Sequence, residues 1–250
     1  MSQSHFNKVA KVTFAFWVMK ICATTLGETA GDLLSMTLNV GYAVSSLILI
    51  SVFLVTLVMQ LAVRRFHPVL FWLVILSTST AGTTMSDFMD RTLQLGYAKG
   101  SLMLVSCLLL VLGIWRWNEK SLSVDNIRTH RAEIFYWVTI LFSNTLGTAL
   151  GDFLSDSSGL GFLGGAALIS GIISLTALAY YFTKINHVLL FWIAFVLTRP
   201  FGATFGDLLT KPVSKGGLGF GTIGSSLVLA FLLVVFVIYT VIKEKRGRAT

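Results

Sequence analysis

Long apolar stretches separated by short polar connections run through the chain from end to end. Eight of them, near 12–36, 40–63, 68–89, 95–115, 133–154, 160–183, 188–210 and 217–242, approach or exceed the roughly 20 residues a helix needs to cross a hydrocarbon core. The pattern predicts an all-α polytopic membrane protein with eight transmembrane helices. The longest polar connection, Trp117 to Arg131, is too short to fold by itself, so residues 1–250 read as one membrane domain whose function resides among the helices. Ten-residue alternation of the kind barrel strands require is missing from the sequence.

The apolar stretches are not independent of one another. Four segments align without a gap: FWVMKICATTLGETAGDLL from Phe16, FWLVILSTSTAGTTMSDFM from Phe71, YWVTILFSNTLGTALGDFL from Tyr136 and FWIAFVLTRPFGATFGDLL from Phe191. Counting from Trp17, Trp72, Trp137 and Trp192, a Gly follows at ten residues (Gly27, Gly82, Gly147, Gly202). A small residue follows at fourteen (Gly31, Ser86, Gly151, Gly206) and an Asp at fifteen (Asp32, Asp87, Asp152, Asp207). A weaker pattern opens the even helices as Gly41-Tyr42, Gly96-Tyr97, Gly161-Phe162 and Gly219-Phe220. The repeating unit is therefore a helix pair, over 12–63, 68–115, 133–183 and 188–242, with 116–132 as a cytoplasmic connection between halves. Trp spacings of 55, 65 and 55, with the similar entries RRFHPVLFW and KINHVLLFW, indicate a nested duplication. Units that each cross twice keep one orientation, which predicts four parallel repeats with pseudo-symmetry along the membrane normal.

The four Trp residues and the W…G…[GS]D pattern resemble a family of bacterial integral membrane proteins built from four tandem repeats of unknown function, each with two transmembrane segments and a characteristic Trp. The resemblance covers nearly the whole chain. It implies an eight-helix protein of the prokaryotic cytoplasmic, or inner, membrane and supplies no biochemical activity.

Composition agrees with the helix pattern: 55% of residues are hydrophobic and 12% charged, where a soluble domain has about 25% charged, and the mean hydropathy is +0.81. A net charge of +8 could suggest nucleic acid, but the bases mark one membrane face. With eight spans, one side holds Lys8, Lys11, Arg64, Arg65, Arg116, Lys120, Arg128, Arg131, Lys184, Lys243, Lys245, Arg246 and Arg248. The other holds Arg91, Lys99, Lys211 and Lys215. Thirteen against four places both termini in the cytoplasm by the positive-inside rule and leaves the lipid bilayer, not nucleic acid, as the partner. The first helix follows a polar opening segment and is long enough to span, so it reads as retained, not as a cleaved signal. Cys22 and Cys107 fall inside spans and read as small buried hydrophobes. His5, His67, His130 and His187 all fall in or beside cytoplasmic connections, which argues against haem, and no hydrolase, zinc or nucleotide fingerprint occurs.

Each Trp, at the start of a span, reads as an anchor at the lipid headgroups. Each Asp, about 22 Å further along its helix, lies roughly three-quarters of the way across the core, toward the non-cytoplasmic side. A carboxylate there costs roughly 2.5–3.5 kcal/mol and therefore points to a cavity, a partner or an ion path. Gly27 and Gly31, Gly82 and Ser86, Gly147 and Gly151, and Gly202 and Gly206 form small ridges that let helix backbones approach. Glu28, Thr29, Thr84 and Thr204 add oxygens near the Asp level, the threonine hydroxyls being equally able to bond back to their own helices. Arg199, followed by Pro200, and Lys20 read as gating or counter-ion groups, with a plain salt bridge and snorkelling as their ordinary alternatives.

The leading expectation is a transporter that binds an inorganic cation, a hard divalent metal or one exchanged for protons, at Asp32, Asp87, Asp152 and Asp207. No cofactor follows firmly; a bound divalent cation is compatible with the oxygens. The alternatives are a membrane enzyme or redox scaffold acting on a lipid-soluble molecule, and a non-catalytic assembly protein whose Asp residues lock helices. The ion, the direction, and whether a single chain or a homo-oligomer works are left open.

Overall fold

A computed structural model describes residues 8–63, 65–127 and 129–247. Among the sequence-identified groups, His5, Arg64, Arg128 and Arg248 lie outside the described residues. The described chain is helical, without strands: α1 (Phe14–Asp32), α2 (Tyr42–Ala62), α3 (Pro68–Asp87), α4 (Tyr97–Glu119), α5 (His130–Asp152), α6 (Gly161–Phe182), α7 (His187–Thr210) and α8 (Thr222–Gly247). Their starts follow local chemistry. Thr13 and Thr129 accept from the backbone N–H three residues on, at 3.3 and 3.0 Å, Asn186 caps α7, and Pro68 occupies the first turn of α3 after the cap His67.

Seven helices, α2 to α8, are long and apolar enough to cross a membrane. α1 is not among them, because within 19 residues it carries Lys20, Glu28 and Asp32. Its charge is accommodated by position, since α1 packs on α3, α3 on α5, α5 on α7, and α7 back on α1 in an inner ring. The outer helices are lipid-like in composition and sit on this ring in an offset manner: α2 packs on α3, α4 on α5, α6 on α7 and α8 on α1. Each outer helix thus leans on the first helix of the following repeat, and the contact of α8 with α1 closes the circle.

A buried stripe common to the inner helices faces the ring interior. Counted from the Trp, positions 3, 7, 11 and 15 recur every four residues and share a face. They hold Lys20, Ile75, Ile140 and Phe195, then Thr24, Ser79, Asn144 and Arg199, then Glu28, Thr83, Thr148 and Ala203, then the four Asp, and all of them are buried. The bundle is therefore apolar near the starts of the inner helices and becomes progressively more polar toward their ends.

The position-ten glycines set the helix spacing. A Cβ on Gly27 would lie 2.2 Å from Ser79 Oγ, one on Gly82 2.9 Å from the Asn144 backbone, one on Gly147 2.2 Å from Arg199 Cγ, and one on Gly202 2.7 Å from Thr24 Oγ1. Every one of these glycines faces position seven of the next repeat round the ring. Gly31, Gly151 and Gly206 meet position eleven in the same way, at Thr83, Ala203 and Glu28.

The Trp rings pack mostly inside the bundle and do not project outward as lipid-facing anchors would. Trp72, Trp137 and Trp192 are buried and only Trp17 is half-buried, because each ring packs edge-on or tilted against aromatic neighbours inside the ring. Trp192 also donates from Nε1 to the Leu122 carbonyl at 2.9 Å and meets Trp115 edge-on, tying the central connection to α7.

Candidate functional site

The aspartates end their helices in a shared manner. Directly after Asp32, Asp87 and Asp152 the chain widens into π-helical turns, Leu33–Thr37, Phe88–Thr92 and Phe153–Ser157. Each closes with the same bond, the N–H of Leu38, Leu93 or Ser158 donating five residues back at 2.9 Å. Gly41 and Gly96 then turn the chain into α2 and α4 with φ of +82° and +77°, a conformation that favours glycine and accounts for the Gly-Tyr pattern. The fourth unit differs: α7 continues regularly to Thr210, and an inserted loop with a short 3-10 turn at Val213–Lys215 leads to α8.

All four aspartates are buried, and they divide into two bridged pairs instead of meeting at one point. Arg91 reaches Asp87 Oδ1 through Nε at 2.9 Å and Asp152 Oδ2 through Nη2 at 3.0 Å. Lys211 Nζ lies 2.6 Å from Asp32 Oδ2 and 3.0 Å from Asp207 Oδ1. Both cations come four residues after an Asp, in the second and fourth units only, and each joins its own Asp to that of the next unit. Burial works against the Lys211 ammonium, yet Asp207 and Asp32 outweigh it and raise its pKa above the ordinary 10.5. Tyr42 accepts from Arg91 Nη1 at 3.2 Å, and Tyr97 lies against the same guanidinium.

One turn below, a second polar layer spans the ring. Arg199 Nη1 donates to Glu28 Oε2 at 2.9 Å, and Nη2 donates to Thr83 Oγ1, to Thr148 Oγ1 at 2.7 Å and to the Ser79 carbonyl at 3.3 Å. Thr83 and Thr148 each also donate to Glu28 Oε2 at 3.2 Å. α1, α3, α5 and α7 each supply a member, so this network ties the four inner helices together beneath the aspartates. Arg199 therefore neutralises Glu28 and not a neighbouring Asp. Lys20 does not snorkel: it is fully buried, with Nζ 4.1 Å from the centre of the Phe195 ring.

Oxygens of Glu28, Asp32 and Asp207 lie within 4.8 Å of one another, a spacing that could hold a metal ion. The threonines contribute less than their positions suggest. Thr84 donates to Thr80 and Ala81 carbonyls and Thr204 to those of Pro200 and Phe201, so both bond back to their own helices. Thr29 does the same toward Leu26 and accepts from Ser226 of α8 at 2.8 Å. Five carboxylates, Glu28 and the four Asp, thus face three cations, Arg91, Arg199 and Lys211. Arg91 and Lys211, counted by their sequence positions as charges of the outer connections, belong to the site. Their signal was a base four residues after the Asp in alternate repeats, the spacing of an i,i+4 ion pair.

A cleft of about 380 Å³ borders this layer, among the end of α1, the end of α7 and the start of α8; Asp32 and Lys211 lie in its wall. Four matches to the model for the Repeat of Unknown Function (DUF347) cover residues 15–66, 70–121, 135–186 and 190–246. The chain belongs to that family. The four DUF347 matches follow the helix pairs read from the Trp spacing, and each carries one Asp of the buried layer. No curated protein and no solved structure gave a significant match.

Proposed function

We propose that this protein is a membrane transporter for a cation, working through the carboxylates at the ends of its inner helices. The observation that carries the reading is the convergence of Glu28, Asp32 and Asp207 oxygens within 4.8 Å inside a bundle of membrane-crossing helices. Such a group is costly to keep charged in an apolar surrounding unless a cation or proton occupies it. Lys211 serves as the resident counter-ion, and an arriving metal ion or proton takes its place. The layer borders the cleft beside Asp32 and the Arg199 and Glu28 network spans the ring one turn below it, which suits a carrier with one side shut more than an open channel.

In this reading α1 also crosses the membrane, enclosed by its neighbours, which gives eight spans. The four repeats run parallel about an axis along the membrane normal, and both termini face the cytoplasm of a prokaryotic inner membrane. Flux of Mn²⁺ and of protons in proteoliposomes tests the function. Asp32→Asn and Asp207→Asn should reduce transport by at least about tenfold, whereas unchanged flux in both would defeat the proposal.

A second reading, a non-transporting assembly protein, is favoured by one observation: each of the four Asp already has Arg91 or Lys211 as an ion-pair partner. There the ion pairs only lock helices together. The same Asp→Asn variants separate the two, because that reading predicts lost stability without any flux to lose.

A further inference from the structure

The cleft beside Asp32 is far larger than a bare ion requires. Its volume of about 380 Å³ falls in the range of sites that take small organic molecules, where a single water occupies about 30 Å³. Its walls are mostly apolar: Met36, Pro212, Phe220 and Ile223 line it, with Phe220 and Ile223 largely exposed. Asp32 and Lys211 also line it, and Lys211 bridges Asp32 to Asp207. Among the described residues, the only ionic groups lining it are this pair. The Lys211 ammonium therefore already occupies the place where a guest cation would meet two buried carboxylates, at 2.6 and 3.0 Å. Lys211 follows the end of α7 and opens the inserted loop of the fourth repeat, where its side chain lines the cleft.

We propose that this cleft binds an amphiphilic organic ammonium ion, with its charge on Asp32 and Asp207 in place of Lys211 and its apolar body against Met36, Phe220 and Ile223. The inference rests on the cation reading above and names the substrate class for that site. An anionic guest is disfavoured, because Lys211 would have to leave both carboxylates to meet it while the anion lay beside them. An aromatic wall residue suits an alkylammonium head or its substituents through cation–π attraction. Lys211 then acts as a tethered competitor: it keeps both carboxylates ion-paired between guests and sets a threshold on binding.

Binding of benzyltrimethylammonium to the full-length protein in nanodiscs, followed by calorimetry, tests this. Saturable binding is expected, weakened at least about tenfold by Asp32→Asn and strengthened several-fold by Lys211→Gln. Phe220→Ala, at a largely exposed position that should leave the fold intact, should weaken it about threefold to tenfold. Mn²⁺ binding to the same samples keeps the two readings separate. If Mn²⁺ binds and benzyltrimethylammonium does not, or binds equally to parent, Asp32→Asn and Phe220→Ala proteins, this inference is overturned and the inorganic-cation reading stands. If neither ion binds, both fail. Weaker binding of benzyltrimethylammonium to Lys211→Gln, with benzoate bound by the parent instead, would identify an anion site and also overturn it.

Discussion

Arg91 and Lys211 occupy equivalent places in alternate repeats, and each clamps two aspartates: its own, four residues back, and that of the next repeat round the ring. The nested duplication visible in the Trp spacing is thus retained in the ion pairs. Units two and four provide a base, while units one and three offer Met36 and Asp156 at the corresponding position. A ring of four similar helices becomes a pair of dissimilar half-sites, one with an arginine fork and one with a lysine and a cleft.

Removing the fork should be costly. Arg91→Gln leaves Asp87 and Asp152 buried without a cation, and breaking a buried pair from one side costs about 3–5 kcal/mol. The triple change Arg91→Gln with Asp87→Asn and Asp152→Asn should recover a large part of that loss. Thermal unfolding in detergent reads both, and a triple variant no more stable than Arg91→Gln would deny that the charges are coupled.

Spacing of the inner helices depends on the bare backbone at position ten. Gly82→Ala puts a Cβ 2.9 Å from the Asn144 and Thr145 backbone, which cannot yield as a side-chain tip can, so a loss of about 1–3 kcal/mol is expected. Gly113 of α4 has open space around it, and Gly113→Ala should be neutral or stabilising by up to about 1 kcal/mol. Equal melting temperatures for the two variants would remove the argument.

The central network requires a guanidinium. Arg199 serves Glu28, Thr83, Thr148 and the Ser79 carbonyl at once from Nη1 and Nη2, a planar spread that an ammonium cannot reproduce. Arg199→Lys should therefore retain the charge yet lower the unfolding temperature and impair transport. Parent-like behaviour in both measurements would show that charge alone suffices.

Alkaline stability should report the Lys211 bridge. Its pKa is raised in the folded protein, so the stabilisation it gives is fully present below the ordinary lysine value of 10.5 and is lost as pH rises through the higher folded value. The difference in melting temperature between parent and Lys211→Gln should stay level around neutrality and shrink only in strong alkali. A difference that already collapses near neutral pH would contradict the bridge.

Local chemistry made the repeats, the helices and the place of the aspartates at the ends of the inner helices legible. Apolar length is a property of neighbouring residues, and the Trp, Gly and Asp recur at fixed offsets, so helix pairs and a common acidic level follow without coordinates. The small residues at ten and fourteen were legible too, since only a close approach rewards so many missing side chains. The direction of the Trp rings was not legible, because a ring at a helix start can face lipid or a neighbouring helix with the same sequence spacing, and here three of the four are buried.

What the sequence alone determined is therefore a helical membrane chain of four like units, with one carboxylate per unit at one level. Which cation neutralises which carboxylate was decided only by tertiary structure. Lys211 meets Asp32 across 179 residues and Arg91 meets Asp152 across 61, and such pairs exist because ring closure brings the end of one repeat beside the next. Electrostatic energy depends on distances of a few ångströms between side chains, and those are set by packing around the ring and not by order along the chain.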